Sequence, residues 1–105
     1  MQEKVNTKSE LIGLICRNGA EIKRYGVTKL GIFGSFARDE ARTESDVDFF
    51  VEVLQEYKTL KNFYALKIYL QKLTGRNIEL VTPQSLNKFI GKYILQEIEY
   101  VAFAA

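Results

Sequence analysis

Between Ser45 and Leu54 the chain reads Ser-Asp-Val-Asp-Phe-Phe-Val-Glu-Val-Leu. Val47, Phe49, Val51 and Val53 fall on one face of this stretch, and Asp46, Asp48, Phe50 and Glu52 on the other, which is the period of a β-strand. An apolar strand face must be covered, so the chain is constrained to a sheet with other elements packed on it. The opening of the strand is the anomaly. Strands favour apolar and β-branched residues, and two carboxylates at the mouth of one need a chemical reason.

The flanking segments place that strand. Val27 to Phe33 reads as a first strand, followed by a turn at Gly34-Ser35. Ser35 is expected to cap a short helix from Phe36 to about Thr43, which carries Arg38 and Arg42. Upstream, Leu11, Leu14, Ile15 and Ile22 recur at helical spacing, predicting a helix from Lys8 to Tyr25 that Thr7 or Ser9 starts and Gly26 stops. Downstream, Leu60 to Thr74 is amphipathic, with Phe63, Leu66, Leu70 and Leu73 on the buried side and Gly75 closing it. Asn77 to Val81 reads as a third strand. A last helical region opens at Thr82-Pro83, bends near Gly91 and runs to about Val101. The order α-β-α-β-α-β-α predicts a small α/β protein: one domain spanning residues 1–105, core about 8–101, helices on a short sheet of three or slightly more strands.

Composition removes several kinds of chemistry. There is no histidine, which excludes Ser-His-Asp hydrolysis and most zinc sites. The single cysteine, Cys16, allows no internal disulfide and is expected to be a buried, inert thiol in a reducing cytoplasm. No apolar run reaches the roughly 18 residues of a membrane span, and no secretory signal is expected. A net charge of +2 is too small to argue for nucleic acid, which is not an expected partner. The charge is unevenly spread, however. Seven acids and one arginine lie between Asp39 and Glu56, whereas Lys58 to Arg76 holds five basic residues and no acid. Lys58, Lys61, Lys72 and Arg76 are expected to form a solvated basic face, with docking of an acidic partner as the rival reading. Tyr93, Tyr100 and Phe103 are expected to be partly core.

Carboxylates, hydroxyls and basic side chains remain. Residues two apart on a strand are about 6.6–6.8 Å apart, and two such carboxylates suit a pair of cations about 3.5–4 Å apart. Mg²⁺ prefers oxygen ligands and combines one or two carboxylates with substrate phosphates. Glu79 alternates with Ile78 and Leu80. If those two share the core with the valines, Glu79 converges with Asp46 and Asp48. Gly34 would let phosphate approach the backbone, Ser35 would donate to it, and Arg38 and Arg42 would add positive charge.

Gly34-Ser35, ten intervening residues and Asp46-Val47-Asp48 together resemble the signature of the polymerase-β-like nucleotidyltransferases. "GSFARDEARTESDVDFFVEV" is similar to the minimal nucleotidyltransferases (MNT) of bacteria and archaea, and "NIELVTPQSL" and "YILQEIEYV" resemble their third strand and closing helix. The resemblance covers about residues 10 to 101. It implies a palm-like mixed sheet, with Asp46, Asp48 and Glu79 as catalytic and metal-binding acids and Gly34 and Ser35 on the triphosphate. Two Mg²⁺ ions and ATP as substrate come with it. Glu79 stands where the family commonly has Asp, and Asp39 replaces a frequent Gly. Such proteins are often paired with a helical HEPN toxin, and the resemblance implies an antitoxin that moves AMP onto a toxin tyrosine. A chain this short is expected to receive its acceptor from another molecule, in a hetero- or homo-oligomer. Two alternatives are an antitoxin that neutralises its partner by binding alone and an aminoglycoside-type small-molecule nucleotidyltransferase.

Overall fold

Thr7 begins the architecture with a reciprocal cap. Its hydroxyl accepts the Glu10 N–H at 3.1 Å, and the Glu10 carboxylate accepts the Thr7 N–H at 3.0 Å. The computed structural model describes residues 4–85 and 88–102, the side chains of residues 88–90 excepted. From Thr7 the chain runs through α1 (Lys8–Arg17) and α2 (Gly19–Lys23) to β1 (Val27–Phe33). The single expected helix is therefore broken. At Asn18 the side-chain amide donates to the Leu14 carbonyl at 2.8 Å, taking a helix acceptor for itself, and Gly19 follows. The expected left-handed stop at Gly26 is present, with φ +78°.

One turn of helix, α3 (Gly34–Ala37), leads by way of a loop to β2 (Val47–Val53), and α4 (Leu60–Thr74) crosses to β3 (Ile78–Val81). A helical crossover is what allows two neighbouring strands to run parallel. Thr59 caps α4 through the Asn62 N–H at 3.0 Å, and Gly75 ends it at φ +72°. After α5 (Lys88–Glu97) comes β4 (Glu99–Tyr100), where a continuing helix was expected. The chain turns at Ile98, and the Val101 N–H donates to the Leu30 carbonyl at 2.8 Å, which covers the outer edge of β1. The result is an α/β fold with a four-stranded mixed sheet in the order β3-β2-β1-β4, with β2–β3 parallel and both other pairs antiparallel.

Alternation decides which face of the sheet is core. Leu30, Ile32, Val47, Phe49, Val51 and Ile78 pack with Leu11, Leu14, Ile15 and Ile22 from α1–α2 and Leu66 and Leu70 from α4. The opposite face carries Asp48, Phe50 and Glu79. It is not wholly open. Phe50 is only 2% exposed, because the Tyr100 ring of β4 meets it edge-on at 6.2 Å. Among the described residues no helix is long and apolar enough to cross a membrane.

Several expectations change. Cys16 is exposed rather than buried: it lies beside the Leu11–Leu14–Ile15 stripe, with its thiol donating to the Ala102 carbonyl at 2.9 Å. Tyr93 is 74% exposed and Tyr100 about half, so neither is core; Phe103 lies outside the described residues. Arg76 leaves the basic face altogether. It is buried, with its guanidinium donating to four backbone carbonyls and the Asn6 side chain.

Candidate active site

The geometry starts from a register. Asp48 on β2 is the direct neighbour of Glu79 on β3 and of Phe33 on β1. Paired strands lie about 4.8 Å apart, and the alternation of both strands turns Asp48 and Glu79 to the same face. The sheet thus brings two of the three candidate acids side by side from segments 31 residues apart in the chain.

The third acid, Asp46, stands one residue before β2 and is exposed. It borders a polar hollow of about 630 Å³ with Ser45, Arg76 and Asn77. Its charge still reaches Asp48. Burial is the first cause that pushes the Asp48 carboxyl up to about 6, followed by repulsion from Glu79, Asp46 and Glu97; Arg38 acts the other way. Glu97, at the end of α5, is thus a fourth acid of this neighbourhood. Nothing in the local sequence marks it, since only the packing of α5 against α3 brings it in.

Gly34 closes the other side. Its φ of +73° is a left-handed conformation that L side chains seldom adopt. A Cβ there would also overlap the Asp48 carboxylate, lying 3.1 Å from its Cγ. The glycine is needed twice, for backbone angle and for the space that brings the turn against the acid. Gly34→Ala is expected to destabilise the fold by about 1–2 kcal/mol through strain and displacement of Asp48. Urea unfolding checks this, and an unchanged midpoint would contradict it.

Ser35 is the second residue of α3 and partly buried, and its carbonyl accepts the Glu40 N–H at 2.8 Å. It is not the cap. Phe33 occupies that position with no side-chain bond to the first turn. The helix itself is far shorter than the expected Phe36–Thr43. Asp39 takes φ +56°, a conformation tolerated by Asp but favoured by Gly, and the chain leaves the helix there. The Asp39 carboxylate then accepts the Lys8 N–H at 3.0 Å, at the start of α1. This accounts for the glycine that the resemblance implies at this position.

Arg38 ends α3, exposed, with its guanidinium paired to Glu40 at 2.9 Å and to Glu97. Those hydrogen bonds, Glu40 first, raise its pKa further. Arg42 is exposed in the loop before Asp46. Its N–H donates to the Ser45 hydroxyl at 2.7 Å, and among the described residues no hydrogen bond or ion pair joins its guanidinium to another candidate residue.

Arg76 organises that loop from beneath. It donates to the carbonyls of Arg42 (2.9 Å), Thr43 (3.3 Å) and Ser45 (2.7 Å), and to that of Val5 (2.6 Å). Its guanidinium carbon also stands 4.9 Å from the centroid of the Phe36 ring in α3. One side chain therefore ties the turn holding Ser35 to the segment that delivers Asp46. Among the described residues, no three His, Cys, Asp or Glu side chains are close enough to enclose a metal ion unaided.

A mixed sheet that sets acids of two parallel strands against a glycine–serine turn is the nucleotidyltransferase fold. The chain belongs to the nucleotidyltransferase domain family, whose model matches residues 17–101. It is 38% identical over 96 residues to the protein adenylyltransferase MntA of Thermococcus cleftensis, covering 90% of this chain and 96% of that one. A solved structure assigned as a minimal nucleotidyltransferase superposes with a TM-score of 0.77 at 28% identity, covering 89% of this chain and 94% of the other. The fold also matches, with a TM-score of 0.54 at 15% identity, a chain in the complex of tri-AMPylated Shewanella oneidensis HEPN toxin with MNT antitoxin; 92% of this chain and 70% of that one are covered.

Proposed function

We propose that the protein is a Mg²⁺-dependent adenylyltransferase that moves AMP from ATP to a hydroxyl, a tyrosine by the resemblance, of a HEPN-type partner, and so acts as a cytoplasmic antitoxin. The observation that carries this reading is the Asp48–Glu79 register against Gly34. It is supported by kinship with a protein adenylyltransferase and by the likeness in fold to a chain in an AMPylated toxin complex.

A divalent cation fits the residues present. The donors are all oxygen, which suits a hard ion. The Asp48 carboxyl is pushed up to about 6 by burial and by neighbouring acids, and a cation would relieve both. Asp46 and Asp48 would hold Mg²⁺ with phosphate oxygens and water completing the coordination, a set that needs no cage of three acids. When bound, the ion supplies stabilisation of charge developing on the phosphate oxygens.

The chain's own groups do the rest. Gly34 holds the turn against the Asp48 carboxylate at the edge of the triphosphate site, and the Ser35 hydroxyl and the uncapped amides of the first turn donate to the β- and γ-phosphates. The acceptor oxygen forms a bond to the α-phosphorus as the bond from that phosphorus to the β-phosphate oxygen breaks. Pyrophosphate leaves with the electron pair, and Glu79 takes the acceptor's proton. Arg38 and Arg42 offset the charge of the leaving group. For Arg38 this means exchanging its pairs with Glu40, which is exposed and therefore weak, and with Glu97, which is partly buried.

The test is incubation of the protein with Mg²⁺, a HEPN-type protein and ATP labelled on either the α- or the γ-phosphate. Label is expected on the HEPN protein from α-labelled ATP alone. No transfer, or transfer from the γ-position, would contradict the proposal.

A further inference from the structure

The sheet leaves one edge open beside the candidate acids. β3 is the edge strand on that side, paired among the described residues only with β2. Along it runs a groove of about 610 Å³ whose walls are the first half of α4 and the strand itself. Leu60, Phe63, Tyr64 and Leu80 make it largely apolar, and Glu79 borders it. Leu60 is 90% exposed and Tyr64 67%. Solvated Leu60 and Tyr64, one turn apart beside exposed Lys61 and Ala65, are more than an isolated surface residue.

The charge around the groove is polarised. Lys61 and Lys67 line the α4 wall, and neither ammonium has an ion-pair or hydrogen-bonding partner among the described residues. The strand wall carries Glu79, whose charge reaches Asp48. A phosphate backbone laid here would meet two lysines on one side and the acids on the other, which disfavours nucleic acid. A peptide meets no such conflict, because acidic side chains can lie toward the lysines while a neutral hydroxyl lies toward Glu79.

We infer that this groove docks the acceptor-bearing segment of the protein substrate, a peptide with apolar residues around its hydroxyl and acidic residues to one side. The apolar walls bury the segment, Lys61 and Lys67 fix its direction, and that direction brings the hydroxyl to the Glu79 end. The inference rests on the adenylyltransferase reading and names the surface by which that reaction recognises its protein substrate.

A direct probe is a short fluorescent peptide with one tyrosine between leucines and a run of glutamates on one side, titrated in the absence of nucleotide. A counterpart has lysines in place of the glutamates. The acidic peptide is expected to bind, and the Lys61→Glu/Lys67→Glu variant to weaken that binding about tenfold or more. The reversed variant should gain affinity for the basic peptide, which a merely unfolded protein would not do. Tyr64→Ala should weaken both pairings. Equal binding of both peptides, indifference to charge reversal, or tighter binding of an oligothymidylate than of the acidic peptide would overturn the assignment. Label transfer from ATP separates the two ideas. If wild type labels a HEPN protein and the reversed variant labels it equally well, the groove is wrong and the transferase reading stands. If the groove binds the acidic peptide as described while wild type labels nothing, the transferase reading fails.

Discussion

Asp48→Asn is expected to lower AMP transfer about a thousandfold and, in the same protein, to raise the unfolding midpoint of the metal-free chain at pH 7. The two effects have one cause. Burial and the charges of Glu79, Asp46 and Glu97 push the Asp48 carboxyl up to about 6 from 3.8. Between those values the folded state keeps a proton that the unfolded chain has released, so folding stability falls as pH rises through this window. Below the unfolded value Asp48 is neutral in both states and no penalty remains; above about 6 the penalty is complete. Each pKa unit corresponds to about 1.4 kcal/mol, and partial solvation reduces the effect for Asp48 to about 1–2 kcal/mol. Asn keeps the shape without the charge, and no described residue hydrogen-bonds to the Asp48 carboxylate, so little is lost in exchange. The expected gain is roughly 5–10 °C for a domain of this size. Thermal unfolding in EDTA checks it: the difference between variant and wild type should be full at pH 7 and gone near pH 4. A variant less stable than wild type at pH 7 would refute the electrostatic account of the site.

Arg76→Ala is expected to destabilise the protein most among the single changes considered. The substitution removes the shared donor of the Val5, Arg42, Thr43 and Ser45 carbonyls and leaves Phe36 without its cation. Stranding buried acceptors of a charged donor costs about 3–4 kcal/mol, enough to lower the midpoint by about 15 °C. Arg76→Lys should recover only part of this, since an ammonium lacks the planar fork that spans several carbonyls. At temperatures where both variants are folded, nucleotide affinity should fall in the order wild type, Lys, Ala, because the loop that delivers Asp46 loosens. A stability within about 1 kcal/mol of wild type would show that the loop holds its shape without Arg76.

What was legible in the sequence is what local pattern encodes. The two-residue period of β2 placed its valines inward, and the run of α4 from Leu60 to Thr74 follows from its amphipathic spacing and the left-handed glycine that closes it. The pairing of Asp48 with Glu79 was readable only as a condition, that Ile78 and Leu80 share the valine core; Ile78 is buried in it and Leu80 packs against it, partly buried. Features that depend on distant partners were not legible. Arg76 looks like one more base on a lysine-rich face until the loop carbonyls gather around it. Residues Glu99 and Tyr100 continue a helical-looking run and become a strand because the outer edge of β1 is available to pair. The short length of α3 is set by Asp39, whose carboxylate is engaged at the start of α1, 31 residues earlier. Glu97 enters the acid cluster only through the packing of α5.

In the proposed transferase, the acids of neighbouring strands and the Gly34 turn form one receptor for a cation-bound triphosphate. Calorimetric titration with a non-hydrolysable ATP analogue, in Mg²⁺ and in EDTA, addresses it directly in wild type and in an Asp46→Asn/Asp48→Asn variant. Binding is predicted for wild type in Mg²⁺, with a loss of at least tenfold in EDTA and in the variant. Equal affinity in all of these titrations would contradict the account.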